Sequence, residues 1–139
     1  MNRRHFLRFS AIISLAAPFA GIALNASAGT PYAPDQVQAA LAAGKAVVLD
    51  FTASWCTSCQ LQGRNIEALR AENPAYSEAI AFFDLDWDTY KGSDIAKLYG
   101  VRSRGALVIL RGDKVLAQTY SHPTKEELKT LLDQAAASA

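Results

Sequence analysis

Cysteine is scarce in this chain, with only Cys56 and Cys59 among 139 residues. Histidine is equally sparse: His5 lies in the opening segment, and His122 is the only one after it. A closed zinc site or an iron–sulfur cluster draws on about four such ligands, so no metal centre is expected. A c-type haem needs histidine directly after the second cysteine, and that position holds Gln60. An excess of basic charge is also missing. The formal net charge is +1, and three of the 14 basic residues fall in the first eight positions. None of the 13 acidic residues precedes Asp35, so beyond residue 28 the chain carries 11 basic against 13 acidic residues. A weakly acidic body has no general electrostatic reason to bind nucleic acid. There is no repeat and no low-complexity linker. With 50% hydrophobic and 19% charged residues, the composition is globular rather than disordered, and the length suits one ordinary domain.

What is present begins with an address. Arg3, Arg4 and Arg8 form a basic start, residues 9–24 are apolar and Ala-rich, and Ala26-Ser27-Ala28 supplies the small residues a signal peptidase accepts. The stretch Asn2-Arg3-Arg4-His5-Phe6-Leu7-Arg8 resembles the twin-arginine export motif, with Asn2 where serine or threonine is usual. The competing reading is a retained membrane anchor. Ser14, Pro18 and Gly21 interrupt the apolar run, and a spanning helix needs about 20 mostly apolar residues. The expectation is therefore a twin-arginine-type signal peptide over residues 1–28, cleaved near Ala28, and one domain over 29–139. Such export places the protein in the periplasm, an oxidising compartment.

The remaining pattern alternates helix and strand. Pro34 and Asp35 suit the first turn of a helix whose face carries Val37, Ala40 and Leu41, with Gly44 to end it. Residues 46–51 read as a buried, valine-rich strand. A second helix should start at the cysteines and run to about Ala71, with Asn73-Pro74 stopping it. Residues 81–86 read as a strand, 92–99 as a short helix closed by Gly100, and 106–110 as another strand. Arg111-Gly112-Asp113-Lys114 looks like a hairpin turn into a strand at 115–120. Thr124-Lys125-Glu126-Glu127 is a capping box for a last helix with Leu128, Leu131 and Leu132 inward. The order α-β-α-β-α-β-β-α predicts an α/β fold: parallel strands joined through a helix, then an antiparallel hairpin.

The chemistry centres on Trp55-Cys56-Thr57-Ser58-Cys59. A purely structural disulfide closing a four-residue loop removes little unfolded-state entropy, roughly 2 kcal/mol. A redox pair is the reading that remains. Cys56, at a helix start after a buried strand, meets free N–H groups and the positive helix end, which favour thiolate. Thiolate is the attacking species in disulfide exchange. Cys59, one turn on and facing inward, can reach the Cys56 sulfur. Cys56 is thus expected to be the exposed nucleophile and Cys59 the shielded resolver. Asp50, a carboxylate in the apolar strand six residues before Cys56, should have its pKa raised by burial and exchange a proton with Cys59. The alternative is an acid at a strand end reaching solvent. His122, directly before Pro123, reads as a turn residue.

The run Val48-Leu49-Asp50-Phe51-Thr52-Ala53-Ser54-Trp55-Cys56-Thr57-Ser58-Cys59 resembles the active-site strand and helix start of the thioredoxin-like superfamily. Trp-Cys-x-x-Cys-Gln, with threonine and serine between the cysteines, resembles the C-terminal domain of periplasmic transmembrane thiol reductases more than cytosolic thioredoxin. Tyr99-Gly100-Val101-Arg102 resembles the next landmark. The resemblance spans residues 34–135. It implies a three-layer fold with a central mixed sheet of about four strands flanked by helices, the initial strand being missing or very short. It implies a buried acid at Asp50 beneath the inner cysteine and an active-site tryptophan at Trp55. It implies no cofactor beyond the Cys56–Cys59 disulfide. Trp55, Thr57, Ser58, Arg104 and Gly105 are the candidate substrate-binding residues. At Gly105 the sequence departs from the family, which carries a cis-proline there. Glycine removes that rigidity and is expected to leave the face beside the thiols open. Arg102 and Arg104 would then flank the site.

The function expected is an exported thiol–disulfide oxidoreductase that reduces protein disulfides, with protein thiols and disulfides as partners and a membrane thiol reductase as electron donor. The alternatives are a disulfide oxidant or isomerase on the same scaffold, and a non-catalytic domain binding a metal or a partner through its two thiols. The sequence leaves the oligomeric state open.

Overall fold

The computed structural model describes residues 29–137; the expected signal peptide over 1–28 lies outside them. Among the described residues five strands form one sheet, β1 (Thr30–Pro31), β2 (Ala46–Thr52), β3 (Ile80–Asp86), β4 (Leu107–Arg111) and β5 (Lys114–Thr119), in the order β1-β3-β2-β4-β5. The β1–β3 and β3–β2 pairs are parallel, and the β2–β4 and β4–β5 pairs are antiparallel. The helices are α1 (Pro34–Ala42), α2 (Thr57–Glu72), α3 (Ala75–Ala79), α4 (Trp87–Tyr90), α5 (Asp94–Leu98) and α6 (Lys125–Ala137).

β2 is central and covered on both faces, which is why it reads as an unbroken apolar run. Successive side chains point to opposite faces of a strand. Ala46 and Val48 enter one core with Ile66, Leu69, Tyr76, Leu128 and Leu132 from α2, α3 and α6. Val47, Leu49 and Phe51 enter the other, against Val37 of α1 and Ala96 of α5. The same alternation turns Asp50 toward α2, and its register partner on β3 is Asp84.

The expected helices and strands are present with shifted ends. Pro34 opens α1 and Asp35 sits in its first turn. The capping box forms at α6: Thr124 N–H donates to Glu127 Oε2 at 2.7 Å, and Glu127 N–H donates to Thr124 Oγ1 at 3.2 Å. Three short elements correct the expected order. β1 brings the strand number to five rather than about four, and it is two residues long, too short to carry an alternation. Chain direction resumes helically after Asn73-Pro74 as α3, with Asn73 Oδ1 accepting from Ala75 N–H at 3.2 Å. α4 is one turn capped by Asp86, whose carboxylate accepts from Thr89 N–H at 3.1 Å. No helix of the described residues is long and apolar enough to cross a membrane.

Candidate functional site

The site forms where β2 ends and α2 begins. Cys56 is the N-cap of α2, in extended backbone with φ −94° and ψ 106°. Its sulfur accepts the Cys59 N–H at 3.3 Å. An N-cap side chain satisfies one of the N–H groups a helix start leaves free, and here that side chain is the reactive sulfur. Cys56 and Cys59 are joined as a disulfide across a Cα–Cα distance of 5.2 Å. Both residues are buried, Cys56 at 3% exposure and Cys59 at 1%, so Cys56 is less open than its expected role requires. What separates them is placement. Cys56 borders a surface groove with Trp55, Thr57, Ser58, Leu61 and Arg104, and Cys59 does not. Ser58 Oγ stands 3.5 Å from the Cys56 sulfur.

Trp55 is 55% exposed and fixed on two sides. Its indole N–H donates to Asp88 Oδ2 at 2.7 Å, and the Arg104 guanidinium lies over the ring, 4.7 Å from its centre. A cation over an indole face is attracted by the ring quadrupole. Arg104 thus lies at the site as expected. Arg102 does not: it lines a separate depression with Ser103, Ala106 and Tyr120.

Asp50 is 4% exposed, which discards the reading of a strand-end acid in solvent. Burial pushes its pKa up to about 7, the Asp84 charge adds to the rise, and the hydrogen bond from Gln62 opposes it. That bond runs from Gln62 Nε2 to Asp50 Oδ1 at 3.1 Å. Gln62 Nε2 also reaches the Gly105 carbonyl at 3.3 Å, so one buried amide ties β2 to the loop before β4. Gln62 was not anticipated. Its signal is a polar residue on the buried face of α2.

Two expectations are corrected around Gly105. The loop is not open, and His122 is not merely a turn residue. Gly105 has φ +84°, and a β-carbon there would lie 2.1 Å from His122 Nε2. The imidazole fills the space that a side chain at 105 would take. His122 Nε2 stands 3.5 Å from the Cys59 sulfur and 3.9 Å from the Cys56 sulfur. Burial lowers the His122 pKa from its ordinary 6.5, and the Arg104 charge lowers it further. The sequence separation of 63 residues from Cys59 hid this contact. β5 hands the chain back beside Gly105, and only the paired β4–β5 hairpin brings the two loops together. Among the described residues Cys56, Cys59 and His122 are the group of such donors gathered closely enough to share an ion.

Residues 31–134 match the family model described as Thioredoxin. The thioredoxin of Chlorobaculum thiosulfatiphilum is 34% identical over 90 residues, covering 65% of this chain and 79% of that protein. Thioredoxin-2 of Saccharomyces cerevisiae is 39% identical over 80 residues, covering 57% of this chain and 71% of its own. Among solved structures, Trxlp from Edwardsiella tarda superposes with a TM-score of 0.65 at 25% identity, covering 74% of this chain and 96% of that one.

Proposed function

The chain belongs to the thioredoxin family, and from that premise we propose that this thiol–disulfide oxidoreductase is exported to the periplasm and reduces protein disulfides there. In the reducing direction, the Cys56 thiolate attacks one sulfur of a substrate disulfide. A mixed disulfide forms and the other substrate sulfur leaves as a thiol. Cys59, as thiolate, then attacks the Cys56 sulfur, releases the second substrate thiol and closes the Cys56–Cys59 bond. Two electrons pass to the substrate. Asp50, buried and with its pKa raised, serves as the group that exchanges a proton with Cys59. A membrane thiol reductase then restores the dithiol, a role suggested by the likeness of Trp-Cys-x-x-Cys-Gln to the periplasmic reductase domains.

The observation that carries this reading is Cys56 as the N-cap of α2 at the edge of the groove, with the Cys59 N–H on its sulfur. A glutathione redox titration of the protein without residues 1–28 tests the direction. A reduction potential near that of thioredoxin, about −270 mV, with reduction of insulin in the presence of dithiothreitol, is the expected result. His122 beside both sulfurs favours a second reading, a disulfide oxidant, because an imidazole that takes a thiol proton and pairs with the thiolate as imidazolium stabilises the reduced form and makes the disulfide more oxidising. A potential near −120 mV, on the order of the strong oxidants, would select it. Export is tested by N-terminal sequencing of the periplasmic protein, which should begin near Gly29.

A further inference from the structure

The donor atoms Cys56 Sγ, Cys59 Sγ and His122 Nε2 lie within 4.8 Å of one another. In the disulfide the two sulfurs are spent on each other. In the dithiol both become ligands, and the imidazole already stands over them. We propose that the reduced protein binds one copper(I) ion through these three atoms, in a site that exists only while the Cys56–Cys59 bond is open.

Distance supports three-coordination. The imidazole nitrogen is 3.5 Å from one sulfur and 3.9 Å from the other. With bonds of about 2.3 Å to sulfur and about 2.0 Å to nitrogen, those separations correspond to S–metal–N angles of roughly 105–130°. These are close to trigonal, and opening the disulfide lets the two sulfurs part to complete the third angle. The direction of the ring is built in as well. Nε2 is the atom nearest to where a β-carbon on Gly105 would stand, so glycine at 105 is what lets the imidazole lie against the sulfurs.

The donor chemistry selects the ion. Two thiolates and an imidazole form a soft set, which favours copper(I) over magnesium, calcium or manganese. Zinc would need a water as its fourth ligand on these three donors, since among the described residues no fourth cysteine, histidine, aspartate or glutamate joins the cluster, whereas copper(I) is complete with three. The start of α2 supplies further support for negative sulfur, since the Cys59 N–H already points at Cys56 Sγ. Cys56 borders the open groove, which gives the ion a way in. Binding displaces the thiol protons and moves no electrons. It also blocks disulfide formation, so copper occupancy and the redox cycle exclude each other.

The inference shares one premise with the proposed function, that the pair can be reduced, and the experiment separates the two. The full chain is reduced with a phosphine, freed of it without air, and its thiols are counted with Ellman's reagent. Two thiols per chain are expected; none would end both readings. Copper(I) is then titrated in competition with bathocuproine disulfonate. One equivalent should be withheld from the chelator, and X-ray absorption should show two sulfur ligands and one nitrogen. His122→Ala should keep its two thiols and its circular dichroism spectrum while losing copper affinity at least tenfold. Wild-type affinity in His122→Ala, a ligand shell without nitrogen, or tighter retention of zinc(II) than of copper(I) would overturn the proposal while leaving the oxidoreductase reading intact.

Discussion

Asp50 and His122 are ionisable groups that the fold pushes in opposite directions for the same reason, burial. For Asp50 the folded pKa of about 7 exceeds the ordinary 3.8. The native protein therefore keeps a proton that the unfolded chain releases. Stability from that proton is fully present below pH 3.8 and is lost as pH rises through about 7. A shift of this size is worth on the order of a few kcal/mol. Asp50→Asn should flatten the decline in denaturation midpoint between pH 4 and 8 and raise stability most at the alkaline end, while slowing turnover. A variant with the wild-type pH slope would contradict a buried, protonated Asp50. His122 is a base with a lowered pKa, so its effect has the other sign: stability is present above its ordinary 6.5 and is lost as pH falls through the lowered folded value. His122→Ala should remove that acid-side loss. It should also raise the Cys56 thiol pKa, because a neutral imidazole 3.9 Å from the sulfur can take its proton. The pH dependence of iodoacetamide labelling measures this directly, and an unmoved labelling curve would exclude His122 from thiol activation.

The loop before β4 and the start of α6 complete the site that α2 and β2 carry. The loop before β4 is fixed by Gly105 N–H donating to the Phe51 carbonyl at 2.6 Å and by Phe51 N–H donating to the Ala106 carbonyl at 3.0 Å. Proline at 105 would delete the first of these bonds and could not adopt φ +84°. Its ring would also displace the imidazole. Gly105→Pro is therefore expected to destabilise the domain by about 3 kcal/mol or more, seen as a lowered melting temperature, rather than to raise activity by restoring the family's residue. An unchanged melting temperature would show that the loop tolerates a different backbone path. At the far end of that connection, the α6 capping box sets where the chain leaves the His122 loop. Thr124→Ala should cost about 1 kcal/mol in chemical denaturation, with Glu127 losing its reciprocal partner. The helix itself should persist, because Leu128 and Leu132 remain buried against the sheet.

For the whole molecule the disulfide is a working bond and not the staple of the fold. It links residues only three apart in sequence, and closing so small a loop stabilises by about 2 kcal/mol on the chain-entropy account. The cores on the two faces of the sheet do not depend on it. Reduction should therefore lower the melting temperature by roughly 10 °C or less and leave the far-UV circular dichroism unchanged. Global unfolding on reduction would be incompatible with a redox cycle. Such a cycle needs both states folded, since Cys59 must find the Cys56 sulfur again through a structure that has not moved far.

The sequence by itself determined the fold class, the central strand, the cysteine pair at a helix start, the capped last helix and the acid at Asp50. These are local signals: a run of apolar residues, a two-residue spacing, a capping box, one carboxylate among valines and leucines. It did not determine β1, α3 or α4, because elements of two to five residues are too short to show a period; α5, equally short, was legible through the glycine that ends it. Nor did it determine the company the cysteines keep. His122, Gln62 and Asp88 reach the site across 63, 43 and 33 residues of separation from the residues they meet there, Cys59, Gly105 and Trp55. Such contacts depend on strand order and on the path of the β4–β5 hairpin, which no local pattern encodes. Glycine at 105 was visible as a departure from the family, but read alone it meant an empty face. The tertiary structure gave it the opposite meaning, because the space that one residue vacates is filled by the imidazole that folding brings to it.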